Sequence, residues 1–314
     1  MGGTIRHSAA IGSGLQSITV TLADGRRIHC RCTLGVGEPL VLLHGLLDSS
    51  EGWSEFAAAQ RRPCIAVDLP GFGYSDLPTR PRIGAYADDV HEALELLDVP
   101  TPVGVIGHSL GGAVAAALAE RMAEKVSALL MLAPAGFGRI PLAEVVSIPG
   151  ARQLTRLWMP LALGHRLPLT LAYRGFVNAE HTDGGEMLDR IVKSEADLAA
   201  AAGAATQAIA AAGNSKHGFH RRRVRYDGPV TAMWGTRDRI VSPKHSRGVK
   251  TAFPQARIVE WQGIGHHPQC ERPGELLALA ARACALRPTR SEQIAAAGRS
   301  RRRTAPAFAP ALAA

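Results

Sequence analysis

Polar and apolar residues alternate along residues 16–34, on both sides of an Asp24-Gly25 pair. Alternation with a period of two is typical of a strand that buries one of its faces. An Asp-Gly pair favours the tight turn of a β-hairpin, because both residues tolerate a positive φ. The pattern therefore predicts a hairpin of two strands near the start of the chain.

Further along, the apolar residues form short runs instead of alternating. Runs of four or five such residues fit strands that are buried on both faces. The runs are Leu40–Leu43, Cys64–Val67, Val103–Ile106, Leu129–Leu132, Val230–Trp234 and the weaker Ile258–Trp261. Helical patterns lie between several of them, notably at residues 86–97 and 111–122. This succession of strands and helices predicts an α/β fold with a mostly parallel sheet flanked by helices.

The long connection between residues 133 and 230 breaks this rhythm. It contains the Trp158-Met159 pair and a helical run over residues 186–212. Connections of this length are uncommon unless they serve a function. We therefore interpret part of it as an inserted helical lid rather than a series of ordinary crossover helices. The predicted division is core residues 1–135, lid residues 136–227, core residues 228–287 and a disordered basic tail at residues 288–314.

The formal net charge is +9, and it is distributed unevenly. The last thirty residues carry six arginines against one glutamate, so the basic character is expected to belong mainly to the tail. A second cluster consists of Arg221, Arg222, Arg223 and Arg225. No helix-turn-helix, zinc-finger or RNA-binding motif accompanies either cluster. We interpret both as solvated surface and predict no nucleic-acid partner.

Cysteine content and the chain start bear on the compartment. An odd count of five cysteines in a chain of this size does not indicate a disulfide framework, and no spacing of a metal site is apparent. The first residues lack the apolar core of a signal peptide, and no run of about 20 apolar residues occurs. These features predict a cytoplasmic protein without stable membrane insertion. The sequence leaves the oligomeric state open.

The segment Gly107-His108-Ser109-Leu110-Gly111 carries the strongest chemical signal. It follows an apolar run and leads into an alanine-rich helical pattern. A strand, a sharp turn with serine at its apex and a helix constitute a nucleophile elbow. The flanking glycines permit close packing around a strained serine backbone. We therefore predict that the Ser109 hydroxyl attacks a carbonyl carbon, at the positive end of the following helix.

A serine hydroxyl is a weak nucleophile near pH 7, so it needs a base and an orienting acid. His266 follows a glycine on the loop after the last predicted strand, where it can take the proton. Asp238 follows the Val230–Trp234 run and lies between serine and histidine in chain order. Asp68 also follows a strand and is the competing acid, but we expect it to fix its own turn.

The oxyanion formed during attack needs backbone N–H donors. We expect one from Leu110, directly after the nucleophile, and one from Leu46 in the loop after the Leu40–Leu43 run. Gly45 permits close approach of that loop. His44, beside it, is interpreted as a residue that holds the loop by hydrogen bonds and as a candidate substrate contact.

Five segments in this order resemble the α/β-hydrolase superfamily and together span about residues 15–285. They are His44-Gly45, Asp68–Ser75, Gly107–Gly112, Gly235–Asp238 and Gly265–Pro268. The resemblance implies an α/β-hydrolase fold, with a mostly parallel eight-stranded sheet and a helical lid inserted after the sixth strand. It also implies a triad of Ser109, Asp238 and His266. His266 is chosen over His267 because the family's histidine directly follows the glycine.

Fold alone does not settle the reaction, since this superfamily supports many chemistries. The serine argues against haloalkane dehalogenases and epoxide hydrolases, which use aspartate as the nucleophile. We expect a cofactor-free and metal-free serine hydrolase of class EC 3.1.1, similar to a carboxylesterase or lipase. Its substrate is expected to be a small ester with an apolar part, and Trp158 and Met159 of the lid are candidates for contacting it.

Three alternatives remain open. One is hydrolysis of a carbon–carbon bond in a product of aromatic ring cleavage, for which Arg174 is a candidate polar group. Another is acyl transfer to a nucleophile other than water. The third is a non-catalytic receptor that keeps the fold and binds a small ligand. A receptor needs no chemistry, so the presence of serine, histidine and acid together favours an enzyme.

Overall fold

The computed structural model of the chain describes residues 5–11, 15–140, 198–212 and 218–285. Trp158, Met159 and Arg174, most of the predicted lid and the predicted tail at residues 288–314 lie outside these described residues. The predicted core lies almost entirely within them.

A sheet of nine strands forms the centre of the described residues. In chain order the strands are β1 (Ile5–Ile11), β2 (Leu15–Thr21), β3 (Arg27–Thr33), β4 (Leu40–Leu43), β5 (Cys64–Val67), β6 (Val103–His108), β7 (Val126–Leu132), β8 (Val230–Gly235) and β9 (Arg257–Trp261). Their order across the sheet is β1-β2-β3-β5-β4-β6-β7-β8-β9. The strands from β5 to β9 along this order pair in parallel, whereas β1, β2 and β3 pair antiparallel.

Helices connect the parallel strands. The described α-helices are α1 (Ser54–Ala58), α2 (Ile83–Leu96), α3 (Leu110–Arg121), α4 (Leu198–Ala212), α5 (Ser246–Ala252), α6 (Pro268–Glu271) and α7 (Pro273–Ala283). Short 3₁₀ helices cover Ser50–Trp53, Phe219–Arg221 and Pro243–His245. The mostly parallel sheet flanked by helices is therefore confirmed. None of the described helices combines the length and apolar character needed to cross a bilayer.

The predicted hairpin is formed by β2 and β3. Ile18 lies opposite Cys30 and Val20 lies opposite Ile28, so the apolar positions of the two strands share one face. Gly25 in the turn has a φ of +86°, a conformation that glycine adopts without strain. The sheet has one strand more than the expected eight, because residues 5–11 pair antiparallel with β2.

The unbroken apolar runs form strands buried on both faces. Along β4, Val41 and Leu43 pack on the face covered by α2 and α3, whereas Leu40 and Leu42 pack on the face covered by α1 and α7. Successive residues of a strand point to opposite faces, so a strand between two helical layers needs apolar residues at every position. The predicted lid connection leaves the sheet after β7, and β8 resumes it.

Candidate active site

The turn between β6 and α3 holds Ser109 in an unusual backbone conformation. Ser109 has φ 51° and ψ −112°, a left-handed φ that residues other than glycine rarely adopt. Its N–H donates to the carbonyl of Leu132 at 2.8 Å, and its carbonyl accepts from Gly112 and Ala135, both at 3.0 Å. These bonds to the end of β7 and the segment beyond it hold the strained residue in place.

Glycines on both sides of Ser109 allow this turn to form. A Cβ atom on Gly107 would lie 2.3 Å from the carbonyl oxygen of Gly111, and one on Gly111 would lie 2.3 Å from that of Leu43. Either side chain would force the start of α3 away from the sheet. The glycines therefore let the helix begin directly above the carboxyl ends of β4 and β6.

Ser109, His266 and Asp238 form a hydrogen-bonded string. The Ser109 hydroxyl lies 3.0 Å from Nε2 of His266, and Nδ1 of the same ring lies 2.7 Å from Oδ2 of Asp238. All three side chains are buried. An ionised carboxylate only accepts hydrogen bonds, so we assign the ring proton to Nδ1. Nε2 is then free to accept the proton of the serine hydroxyl.

Backbone donors fix the orientation of Asp238. Its Oδ1 accepts from the N–H groups of Ile240 at 2.8 Å and Val241 at 2.9 Å, which leaves Oδ2 directed at His266. The loops that carry the acid and the histidine also join each other, since the Arg237 N–H donates to the carbonyl of Ile264 at 2.9 Å. Both loops follow neighbouring strands, β8 and β9.

Glu271, for which the sequence analysis predicted no role, holds the histidine loop through backbone hydrogen bonds. Its buried carboxylate accepts from the Gly265 N–H at 2.8 Å and from the His267 N–H at 3.2 Å, the two residues on either side of His266. The sequence signal for this contact is a carboxylate one helical turn beyond the loop, on α6. Glu271 thus acts on His266 through the backbone.

Two further histidines pack against His266. The ring of His108 lies 4.8 Å from that of His266 between centroids, and the ring of His267 lies 5.2 Å away. Nε2 of His108 donates to the His266 carbonyl at 2.8 Å. Burial lowers the pKa of His108 and of His267 well below the ordinary histidine value. Both rings are therefore neutral at pH 7 and add no positive charge beside His266.

The loop after β4 lies against the nucleophile. A Cβ atom on Gly45 would be 2.8 Å from Nδ1 of His108 and 3.5 Å from Cβ of Ser109. Leu46 follows directly, and Leu110 occupies the first position of α3, where a backbone N–H has no acceptor within the helix. The two candidate oxyanion donors therefore belong to the two segments that meet at Ser109.

His44 positions this loop. Its Nε2 accepts from the Leu69 N–H at 2.9 Å, and its Nδ1 donates to the Gly45 carbonyl at 2.7 Å. The ring is completely buried, so neither nitrogen is available to a ligand. This geometry corrects the expectation that His44 contacts substrate and agrees with its alternative interpretation as a loop-holding residue.

Asp68, the competing acid, faces a different histidine. Its Oδ2 lies 2.7 Å from Nδ1 of His29, whose Nε2 lies 2.5 Å from the Ser17 hydroxyl. Its Oδ1 accepts from the Ser50 N–H at 2.6 Å. Burial opposes ionisation of Asp68, but the hydrogen bond and the charge of His29 outweigh it, so the pKa lies below the ordinary value. Asp68 is a structural carboxylate that ties the end of the β4 loop to β5.

Among the described residues, no group of three histidine, cysteine or acidic side chains has a geometry that could hold a metal ion. The polar groups around Ser109 instead bond to one another and to the backbone. The arrangement can move a proton between a hydroxyl and an imidazole while a nearby carboxylate stabilises the imidazolium.

Comparison with known proteins agrees with this geometry. A family model described as the alpha/beta hydrolase fold matches residues 38–273. A protein of Mycobacterium tuberculosis without an assigned function is 29% identical over 256 residues, which cover 77% of this chain and 74% of that protein. Lipase 3 of a Moraxella species is 24% identical over 270 residues, which cover 82% of this chain and 81% of the lipase.

A solved structure has the same fold. The thermophilic esterase of Thermogutta terrifontis superposes with a TM-score of 0.67 at 22% sequence identity. The match covers 85% of this chain and 97% of the esterase. At this level of identity the likeness concerns the architecture of the chain.

Proposed function

The chain belongs to the α/β-hydrolase family, and from that premise we propose that it cleaves carboxylic esters by serine catalysis through an acyl-enzyme. The observation that carries the proposal is the string from Ser109 through His266 to Asp238, with spacings of 3.0 Å and 2.7 Å. The names of the Moraxella lipase and the Thermogutta esterase support an ester as the substrate.

In the proposed reaction the Ser109 hydroxyl attacks the ester carbonyl carbon. His266 accepts the hydroxyl proton at Nε2 and then gives it to the departing alcohol. Asp238 keeps the ring oriented and stabilises the imidazolium that forms. Water then attacks the acyl-enzyme, with His266 as base, and releases the carboxylic acid. The proposed chemistry needs no cofactor and no metal.

The negative charge on the carbonyl oxygen needs donors that are already oriented. The N–H groups of Leu46 and Leu110 are proposed for this role. The close contact of Gly45 with His108 and Ser109 supports it, because the contact brings the β4 loop to the nucleophile. In other hydrolases one such donor changes kcat by about 10²–10³-fold.

The neutral state of His108 and His267 supports His266 as the base. A cation beside His266 would stabilise its neutral form and oppose the imidazolium intermediate. Burial keeps both neighbouring rings uncharged. Neither neighbouring ring therefore places a positive charge against the imidazolium of the proposed reaction.

The proposed ester has an apolar acyl or alcohol part. This finer proposal comes from the leucine, methionine, tryptophan and alanine content of residues 136–227. An apolar surface beside the nucleophile removes an acyl chain from water and contributes about 0.8 kcal/mol for each buried methylene group.

The test is turnover of p-nitrophenyl esters from acetate to palmitate by the wild type and by Ser109→Ala. We expect turnover that rises with acyl length up to the capacity of the pocket, and at least a thousandfold loss in the variant. A folded wild type that cleaves no ester overturns the proposal. Cleavage of a vinylogous 1,5-diketone would then indicate a carbon–carbon hydrolase, and ester formation with an added alcohol an acyltransferase.

A further inference from the structure

Residues 218–257 carry a large excess of positive charge. They contain ten arginines and lysines against two aspartates, and all ten basic side chains are exposed. The last thirty residues carry a net charge of +5 and residues 218–257 a net charge of +8. All other residues together therefore have a net charge of −4. The expectation that the tail holds most of the charge is thus incomplete, because the core itself is strongly polarised.

Part of this charge belongs to an extended segment that follows the 3₁₀ helix Phe219–Arg221. Val224 and Tyr226 of this segment are buried, whereas Arg223 and Arg225 are exposed. The Val224 N–H donates to the carbonyl of Ala252 at 2.9 Å. Alternate residues of an extended segment point in opposite directions, so the anchored apolar residues direct the arginines to solvent.

Helix α5 lies against this segment and adds to its charge. A Cβ atom on Gly248 would lie 2.8 Å from Cβ of His220, so the helix backbone is in close contact with the 3₁₀ helix. Arg247 and Lys250 flank this glycine contact and are exposed. We define the basic face as Arg221, Arg223, Arg225, Arg247 and Lys250.

Most of the charge of the basic face is not neutralised by acids. Glu120 is engaged by Arg222, with two hydrogen bonds of 2.6 Å and 2.7 Å. Within the part of the chain that the structure describes, none of the five basic-face side chains is within ion-pair distance of a carboxylate. The Arg225 N–H also donates to Glu120 at 3.2 Å, so this carboxylate offsets part of the charge of Arg225. The other four cations on one fixed surface create a field that attracts a polyanion.

We propose that the basic face adsorbs the protein to an anionic lipid surface. The proposal rests on the proposed function, because an ester with an apolar part accumulates in membranes. The surface continues from α5 through exposed Lys244 and Arg239 to the loop of Asp238. Arg223 and Arg225 lie toward the amino edge of the sheet, since the Arg225 N–H donates to Glu120 near the end of α3 and the Tyr226 hydroxyl donates to the carbonyl of Val126, the first residue of β7. Adsorption through the basic face therefore concentrates the protein at the surface where such an ester collects.

The chemistry of the face favours lipid headgroups over single-stranded nucleic acid. Single-stranded nucleic acids are bound with aromatic side chains on which the bases stack. The large apolar side chains that are exposed in the described residues are Leu34, Val36, Tyr74 and Leu77, all outside residues 218–257. The face therefore offers charge without stacking groups, and it adsorbs electrostatically without inserting apolar anchors.

The experiment is sedimentation of the full-length protein with vesicles of phosphatidylcholine alone or with 30% phosphatidylglycerol, at low and high salt. We expect binding only to the anionic vesicles, and its loss as salt screens the charges. Arg223→Gln with Arg225→Gln should weaken binding about twentyfold, from roughly fivefold for each charge near the surface. Arg61→Gln with Arg282→Gln, exposed on other parts of the core, is the control with the same net charge.

Equal weakening in both double variants would overturn the proposal, since net charge rather than the face would then decide. Absence of wild-type binding to anionic vesicles, or tighter binding to duplex DNA than to vesicles at equal salt, would overturn it too. Hydrolysis of p-nitrophenyl acetate is followed in parallel, because this soluble ester needs no membrane. Both double variants should retain it, so failure of the adsorption proposal and failure of the proposed function are distinguishable.

Discussion

Nδ1 of His29 lies 2.7 Å from Oδ2 of Asp68, and the same ring reaches the Ser17 hydroxyl with Nε2. The molecule therefore contains a second Ser-His-Asp string, with spacings close to those of the string at Ser109. The two differ in backbone. Ser17 lies within the extended strand β2, whereas Ser109 lies at a strained turn before a helix. Of the two serines, only Ser109 lies directly before a helix, whose first backbone N–H groups have no acceptor within the helix.

The two serines give a matched pair of variants. We predict that Ser109→Ala lowers kcat/KM for a p-nitrophenyl ester at least a thousandfold, because it removes the nucleophile. Ser17→Ala should stay within about threefold of the wild type, since β2 supplies no oxyanion donors. Labelling with a fluorophosphonate, read by mass spectrometry, should modify Ser109 alone. Modification of Ser17 in the native protein would contradict the assignment.

Glu271 is predicted to affect catalysis through the backbone on both sides of His266. Glu271→Gln replaces an acceptor oxygen with an amide donor and leaves the Gly265 or His267 N–H with a poorer partner. We expect kcat to fall about tenfold to a hundredfold with little change in KM. Glu275→Gln is the control, because Glu275 is exposed and pairs only with Arg272 in the described contacts. A rise in KM at constant kcat would instead indicate substrate contact.

The lowered pKa of Asp68 implies that the stability of the protein depends on pH. Its pKa is lowered in the folded state, so its contribution to stability is present above the unfolded pKa of about 4 and is lost as pH falls through the folded pKa. Asp68→Asn should lower the free energy of unfolding at pH 7 by about 2 kcal/mol. It should also flatten the fall of this free energy below pH 4. Urea unfolding at pH 7, 5, 4 and 3 measures both, and parallel curves for the two proteins would refute the prediction.

A substitution at Gly45 tests whether catalysis requires the β4 loop to lie close to Ser109. A methyl group at Gly45 would lie 2.8 Å from a ring nitrogen of His108, so the loop must move away from Ser109. We expect Gly45→Ala to lower kcat by about a hundredfold, the usual cost of losing one oxyanion donor. Gly274→Ala is the control, since nothing lies within 4 Å of the added methyl group. Unchanged kcat in Gly45→Ala would exclude the loop from oxyanion binding.

The sequence predicted the elements that depend on local pattern. The apolar runs at residues 40–43 and 64–67 became β4 and β5, because only a strand between two layers needs apolar residues at each position. The helical pattern at 86–97 became α2 at Ile83–Leu96. Strand β1 was not predicted. Its segment, Ile5–Ile11, lacks strict alternation and is recruited by backbone pairing with β2.

A functional residue was predictable where its role requires a particular backbone conformation that leaves a pattern in the sequence. Ser109 was found because a strained turn needs glycines at fixed positions, and those glycines are visible in the sequence. The role of Glu271 and the contribution of α5 to the basic face were not visible. These features depend on burial or on contacts between segments that are distant in the chain. Burial and long-range contacts leave no local pattern in the sequence.

The choice between two aspartates shows where the sequence alone stops. Asp68 and Asp238 each follow a buried strand, and the sequence favoured Asp238 because it lies between serine and histidine in chain order. The order of the sheet separates them, because β8 lies next to β9, whose following loop carries His266. Strand β5 lies between β3 and β4, which bring His29 and His44 to Asp68 instead. The local pattern of residues was thus enough to locate a serine at a strand-to-helix turn and to favour one of two acids. The physical reason why Asp238 faces His266 is the adjacency of β8 and β9, which arises from strand pairing between distant segments and leaves no local pattern.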